Sequence, residues 1–109
     1  MKLLISPKIA RKLAGKVPPV TEGEIIQCFS NRQGKFLEDT REDHQSNPPT
    51  QWFIAETDYG VCLKVVFVYY PGKGVAIRTA YSPNEAEIRI YEKYGQSEGY
   101  YEQKRETGY

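Results

Sequence analysis

The 109-residue sequence contains little cysteine or histidine, the residues that most often build metal centres and covalent cross-links. Cys28 and Cys62 are too few for a disulfide framework, and with one histidine they form no metal-ligand pattern, so we expect neither a metal nor another cofactor. No run of about 18 apolar residues is present, which excludes a membrane-spanning helix. The apolar stretch at residues 3–5 is too short for a signal peptide, so we predict a cytoplasmic protein without a membrane partner.

Motifs of nucleotide and hydrolase sites are also missing, since there is no glycine-rich phosphate loop and no G-x-S-x-G turn. The length and a hydrophobic share of 39% fit one globular domain with a single core. From residue 95 onward the chain has no aliphatic side chain and no apolar periodicity. We therefore predict a domain over residues 1–94 and a tyrosine-containing tail over 95–109 that is disordered or ordered only by a partner.

The formal net charge of +1 hides a segregation along the chain. Residues 1–20 carry five basic and no acidic side chains, whereas residues 21–60 carry eight acidic and three basic ones. Because the local potential steers partners more than the total charge does, a cationic surface remains compatible with this composition.

Capping patterns predict three helices. Ser6-Pro7 is typical of a helix start, and Thr21 with Glu24 three residues later forms a capping box. The same chemistry at Ser82-Pro83 predicts that Ser82 caps the final helix, on which Glu87 lies on an otherwise apolar side. Cys28 falls on the apolar face of the second helix, so we interpret it as a buried hydrophobic residue and not as a nucleophile.

Alternation with a period of two predicts strands over residues 35–39, 51–57, 62–70 and 75–81. The last three are joined by short turns and form an antiparallel meander, whereas the consecutive prolines Pro48 and Pro49 place residues 40–50 in a loop. Two helices before these strands and one after them predict a two-layer α+β domain with a small antiparallel sheet of three to four strands and its helices on one side.

Arg78 is the most informative charged residue. Its small neighbours Ala76 and Ala80 are expected on the same face of the strand, which leaves the guanidinium room for a planar partner. That partner is either a phosphate group or the carboxylate of Glu87. Lys64 on the neighbouring strand joins Arg78 only if the connecting hairpin loop contains an odd number of residues.

Other polar groups admit two interpretations each. Lys8, Arg11 and Lys12 lie together on the first helix and form either a solvated face or a surface that faces phosphate groups. His44 follows two acidic residues, so it is either an ordinary surface residue or a general acid.

Four segments carry a resemblance to a known family. They are Val20–Phe29 (VTEGEIIQCF), Trp52–Ala55 (WFIA), Arg78–Tyr81 (RTAY) and Glu87–Glu92 (EIRIYE). Their layout resembles that of BrnT-type toxins of the RelE-like group, which are small α+β ribonucleases of bacterial type II toxin–antitoxin modules. The similarity extends over about residues 18–94.

This resemblance implies metal-independent cleavage of mRNA, with RNA and an antitoxin protein as partners. It implies that Arg78, Glu87 and Arg89 lie near the RNA-cleaving surface with Tyr91 in support, and Lys8, Arg11, Lys12 and Lys64 are the candidate RNA-binding cations. The alternative hypothesis is a non-catalytic interaction module on the same scaffold, such as the product of a mobile gene cassette. That module would form a homodimer or a complex through its tail or an open sheet edge.

Overall fold

A computed structural model describes residues 2–41 and 46–96 of the protein. Over these residues its elements are β1 (Leu3–Leu4), α1 (Pro7–Ala14), α2 (Glu22–Asn31), β2 (Leu37–Glu38), β3 (Thr50–Glu56), β4 (Cys62–Tyr70), β5 (Gly74–Tyr81) and α3 (Glu85–Tyr94). The α+β class predicted from the sequence is confirmed. None of the helices in the described part of the chain is long and apolar enough to span a membrane.

The strands form one mixed sheet in the order β1-β5-β4-β3-β2. The predicted antiparallel meander of β3, β4 and β5 is confirmed. The sheet has five strands where three to four were expected, because the two-residue strand β1 pairs in parallel with β5, Leu3 opposite Val75. Two residues are too few for an alternation pattern, so the sequence carried no signal for β1.

The helices begin where side chains satisfy their first backbone N–H groups. The predicted box at α2 is confirmed, since Thr21 Oγ1 accepts from the Glu24 N–H at 3.1 Å and Glu24 Oε1 accepts from the Thr21 N–H at 2.9 Å. The prediction that Ser82 caps the last helix is wrong. Asn84 caps it instead, because its Oδ1 accepts from the Glu87 N–H at 2.8 Å while Glu87 Oε1 accepts from the Asn84 N–H at 3.0 Å.

The main core lies between the sheet and the first two helices. Ile25 and Cys28 of α2 pack against Phe53, Val65 and other buried strand residues. Burial, with smaller contributions from Cys62 and Glu24, raises the pKa of the Cys28 thiol to about 11. The thiol is therefore protonated at neutral pH, and Cys28 is the buried hydrophobic residue that its position in the helix predicts.

The final helix α3 lies on the opposite face of the sheet from α1 and α2. Its Tyr91 ring packs against Trp52 at a centroid distance of 5.7 Å. Side chains alternate along a strand, and Phe53 points into the core, so the neighbouring Trp52 points to the opposite face. The expectation that all helices lie on one side is thus corrected. Helix periodicity identifies the apolar side of α3, but it does not specify which face of the sheet that side packs against. As a result, the second face of the sheet has a helix over only part of it.

Candidate nucleic-acid interface

The second face of the sheet forms the floor of an open groove of about 1210 Å³. One wall is α3, and another is the chain segment that follows β2. The groove is rich in cationic side chains, which come from four separate elements or loops of the chain: Lys12, Arg41, Lys64 and Arg78. Acidic groups are present too, since Glu38, Asp39 and Glu87 also line it.

At the floor of the groove, one carboxylate oxygen joins two strands to α3. Oε2 of Glu87 accepts a hydrogen bond from Lys64 Nζ at 2.7 Å and another from the Tyr81 hydroxyl at 2.6 Å. Lys64 Nζ also lies 4.3 Å from the centroid of the Trp52 ring, within cation–π range. The side chains of Lys64 and Glu87 are only 12% and 16% exposed. Lys64 is therefore largely committed to partners within the protein.

These contacts determine the protonation states of Glu87 and Tyr81 at the floor of the groove. Burial alone would raise the pKa of Glu87, but the hydrogen bonds from Lys64, Tyr81 and the Asn84 N–H outweigh burial and lower this pKa to about 2. Burial and the hydrogen bond to Glu87 raise the pKa of Tyr81 to about 12. At neutral pH, Glu87 is thus an ionised acceptor and Tyr81 a neutral donor. A carboxylate with so low a pKa is a weak general base.

Arg78 lies at a β-bulge that aims it into the groove. Val66 pairs with Thr79 and Phe67 pairs with Ile77, so Arg78 is the extra residue between them. The expectation that Ala76 and Ala80 flank it on one face is wrong for Ala80, which the bulge turns into the core. Arg78 is exposed, and within the described residues its guanidinium has neither a salt bridge nor a hydrogen bond.

From the sequence, Arg78 had two candidate partners, a phosphate group and the Glu87 carboxylate, and the structure excludes Glu87. Glu87 is paired with Lys64 and not with Arg78. The hairpin loop between Tyr70 and Gly74 has an odd number of residues, which was the condition for Lys64 to join Arg78, and both side chains line the groove. Within the described residues, the guanidinium of Arg78 therefore faces the groove without a hydrogen-bond or ion-pair partner.

On the opposite wall, Arg41 is clamped by Asp39. The Arg41 Nε and Nη2 atoms donate to the two carboxylate oxygens at 3.0 and 2.8 Å, and the Arg41 backbone N–H donates to Oδ1 at 3.1 Å. The Arg41 side chain is 68% exposed, whereas that of Asp39 is 10% exposed. The pair therefore presents a fixed guanidinium group to the groove, with its charge balanced by Asp39.

The remaining candidates divide between the groove and other surfaces. Lys12 of α1 lines the groove, whereas Lys8 and Arg11 of the same helix are exposed but do not line it. Arg89 is also outside the groove, where it faces Glu85 one helical turn away at 3.8 Å.

Two further candidates complete the comparison with the sequence predictions. Tyr91 packs on Trp52, and its hydroxyl donates to the Lys35 carbonyl at 2.7 Å, so it attaches α3 to the chain before β2. His44 lies outside the described residues. The described part of the chain holds no group of three or more side chains that could ligate a metal ion.

Sequence reasoning missed three residues of the groove: Trp52, Tyr81 and Arg41. A signal for the first two exists, because Trp52 lies next to the buried Phe53 and Tyr81 next to the buried Ala80, which places both on the face that also carries Lys64. Arg41 follows a two-residue strand in an irregular segment, where no periodicity indicates a direction.

The chain was compared with known proteins at the level of families, curated sequences and solved structures. No family model matches it, and neither does any curated protein or solved structure. The resemblance to BrnT-type toxins therefore stays a prediction, and any functional conclusion depends on the residues of the groove itself.

Proposed function

We propose that the groove binds the backbone of single-stranded RNA and that the protein is a metal-independent endoribonuclease of the toxin class. The observation that carries this proposal is the exposed, unpaired guanidinium of Arg78 within the described part of the groove. Arginine has five donors in a planar fork and binds phosphate oxygens bidentately. An arginine with no partner among the described residues, held on a strand in a groove with other cations, is suited to a phosphate group.

The apolar surface of the groove supports a single strand as the ligand. Tyr94 and Ile90 of α3 line the groove with 58% and 46% of their surface exposed. Unpaired bases stack on exposed aromatic rings, whereas the bases of a duplex are already stacked on one another. The combination of cations with an exposed aromatic ring is typical of single-strand binding surfaces.

Cleavage of RNA without a metal requires stabilisation of the negative phosphorane, a proton acceptor for the 2′-hydroxyl and a proton donor for the leaving oxygen. Arg78 provides a cation for the first task, and the neutral Tyr81 hydroxyl gives its proton to the leaving oxygen after exchanging its hydrogen bond to Glu87 for one to that oxygen. Glu87 is a positioning residue in this scheme, because it holds Lys64 and Tyr81 and is too weak a base itself. Solvent water in the open groove accepts the 2′-hydroxyl proton, and His44, which lies outside the described residues, has no role in this scheme.

Binding and cleavage of fluorescently labelled single-stranded RNA by the purified protein test this proposal. Arg78→Ala should weaken binding roughly tenfold, as expected for the loss of a charge-assisted hydrogen-bonded contact. The control is Arg89→Ala, which removes an exposed arginine outside the groove. Equal affinities of the wild type and the Arg78 variant, or equal weakening by both substitutions, would contradict a role for the groove.

The toxin assignment adds a cellular expectation. Expression in bacteria should arrest growth and deplete mRNA, Arg78→Ala should relieve the arrest, and Arg89→Ala should not. An antitoxin protein that covers the cationic groove should restore growth when the two are expressed together. Growth and mRNA that remain intact on expression of the wild type would contradict the toxin assignment.

The second candidate function is a non-catalytic interaction module. It is favoured by the state of one carboxylate at the floor of the groove: Glu87, paired with Lys64 and Tyr81, has a pKa of about 2 and is a weak proton acceptor at neutral pH. RNA that binds with the expected dependence on Arg78 but remains uncleaved, also in the presence of chelator or added metal ions, would favour this module over the ribonuclease.

A further inference from the structure

Arg41 forms the second fixed arginine of the groove, and sequence reasoning assigned it no role. Asp39 engages it through Nε and one N–H of Nη2. A guanidinium has five N–H donors, so three remain after these two bonds. The Arg41 side chain is 68% exposed, and its three other donors have no hydrogen-bond partner among the described residues.

The contacts with Asp39 also reduce the entropy that the Arg41 side chain would lose when it binds a ligand. An arginine side chain normally loses rotamer freedom when it binds a ligand, and this loss reduces affinity. Two hydrogen bonds to one carboxylate, with a third from the Arg41 backbone N–H, hold the guanidinium before any ligand arrives. Arg41 is thus preorganised, whereas a lone surface arginine is not.

Arg41 and Arg78 lie on different sides of the groove. Arg78 belongs to β5, and Arg41 follows the end of β2, with β4 and β3 between the two strands. Three steps between neighbouring strands correspond to roughly 14 Å. This is the separation of the strand backbones, and a nucleic-acid backbone that crosses the strands can contact the two arginines through different phosphate groups.

We propose that Arg41 is a second phosphate-contacting residue, that Asp39 is its positioning residue, and that a single RNA strand crosses the sheet from β5 towards β2. This inference rests on the proposed function and extends it to the path of the ligand. The bound strand contacts the protein through at least two separate phosphate groups.

The experiment measures the affinity of the purified protein for single-stranded oligouridine over a range of salt concentrations. Each phosphate contact of a single strand adds about 0.7 to the slope of log affinity against log salt. Arg41→Ala should reduce the slope by about that amount and weaken binding roughly tenfold at low salt. Arg89→Ala is a closely matched control, because Arg89 is 70% exposed, similar to Arg41, and also faces an acidic residue.

Asp39→Asn tests the positioning role through the sign of its effect. If Asp39 only repels RNA, removal of its charge should strengthen binding. If it positions Arg41, the same substitution should weaken binding and reduce the salt slope. Arg41→Lys keeps the charge but loses the planar fork of donors, so it should also weaken binding. If Asp39→Asn does not fold, Arg41→Lys tests whether the positioned guanidinium, and not its charge alone, is needed for binding.

The outcomes separate this inference from the proposed function. If the wild type does not bind oligouridine, or if Arg78→Ala has no effect, the proposed function fails. If Arg78→Ala weakens binding while Arg41→Ala leaves the affinity and slope unchanged, the groove binds RNA but the path towards β2 is wrong. Tighter binding by a folded Asp39→Asn variant would overturn the positioning role alone.

Discussion

Nζ of Lys64 lies 2.7 Å from Oε2 of Glu87, and this ion pair joins β4 to the first turn of α3. The helix buries none of its residues completely, so apolar packing holds it only weakly on the sheet. A further attachment is Tyr91, through the Trp52 ring and the Lys35 carbonyl. Because α3 forms a wall of the groove, the ion pair helps to determine the shape of the candidate binding site.

Glu87→Gln is expected to destabilise the protein. It removes the charge that compensates the poorly exposed Lys64 ammonium, at a cost of roughly 2–3 kcal/mol, somewhat below that of a completely buried pair. Chemical denaturation at neutral pH measures this change. Glu85→Gln on the same helix is the control, because Glu85 is 91% exposed and its contact with Arg89 is long, so it should change stability little. Equal losses for both variants would show that the Lys64 pair has no special role.

Stability should also fall with acid in a defined pH window. The pKa of Glu87 is about 2 in the folded protein against an ordinary value of 4.5. Between these values the unfolded chain binds a proton that the folded protein does not, so the contribution of Glu87 is present above about pH 5 and is lost towards pH 2. It amounts to about 3 kcal/mol at most.

The measurement is the free energy of unfolding of the wild type and Glu87→Gln at several pH values. The difference between the two should shrink as the pH falls through this window, since the Gln variant cannot titrate at this position. A difference that stays constant from pH 7 to pH 3 would mean that the carboxylate has an ordinary pKa in the folded protein.

Much of the fold is readable from local patterns. The box at Thr21 and Glu24 and the strands of the meander depend on neighbouring residues and on alternation, and both are confirmed. The start of α3 is harder to predict because Ser82 and Asn84 are both capping residues. The cap at Asn84 uses Glu87, which is also the residue that Lys64 and Tyr81 hold, and this tertiary contact has no counterpart in the local sequence.

The candidate site was predictable only in part for the same reason. Arg78 stands out in the sequence because a charged residue interrupts an apolar strand. The bulge that separates it from Ala80 depends on the register of two strands, which the sequence does not report. The position of α3 over the second face of the sheet places Glu87 beside Lys64 and not beside Arg78. Alternation by itself does not specify that face.

Two glycines are expected to respond oppositely to replacement by alanine. A Cβ atom on Gly34 would collide with the Gly95 carbonyl and the Tyr91 hydroxyl, so Gly34→Ala should displace the end of α3 and destabilise the fold. Gly23 lies in α2, and a methyl group added there would have Thr21 Oγ1 as its nearest neighbour, at 3.8 Å. Gly23→Ala should therefore stabilise the protein by about 0.5–1 kcal/mol through its higher helix propensity.

Thermal or chemical denaturation of the two variants provides the comparison. The important result is the difference in sign, because both substitutions add one methyl group to the same small fold. A Gly34→Ala variant as stable as the wild type would show that the approach of Gly34 to α3 is not close in solution.

The two cysteines should differ in reactivity for reasons of access. Both thiols have a pKa raised by burial, but Cys28 is completely buried in the core whereas Cys62 is partly exposed at the start of β4. A thiol reagent needs contact with the sulfur as the thiolate, so we expect Cys62 to react first and Cys28 only when the protein opens.

Under native conditions Cys62→Ser should abolish the fast phase with a disulfide-exchange reagent, and Cys28→Ser should leave it unchanged. In denaturant both thiols should react at similar rates. A fast phase that survives in Cys62→Ser would mean that α2 separates readily from the sheet, and that the core around Cys28 is less stable than its packing indicates.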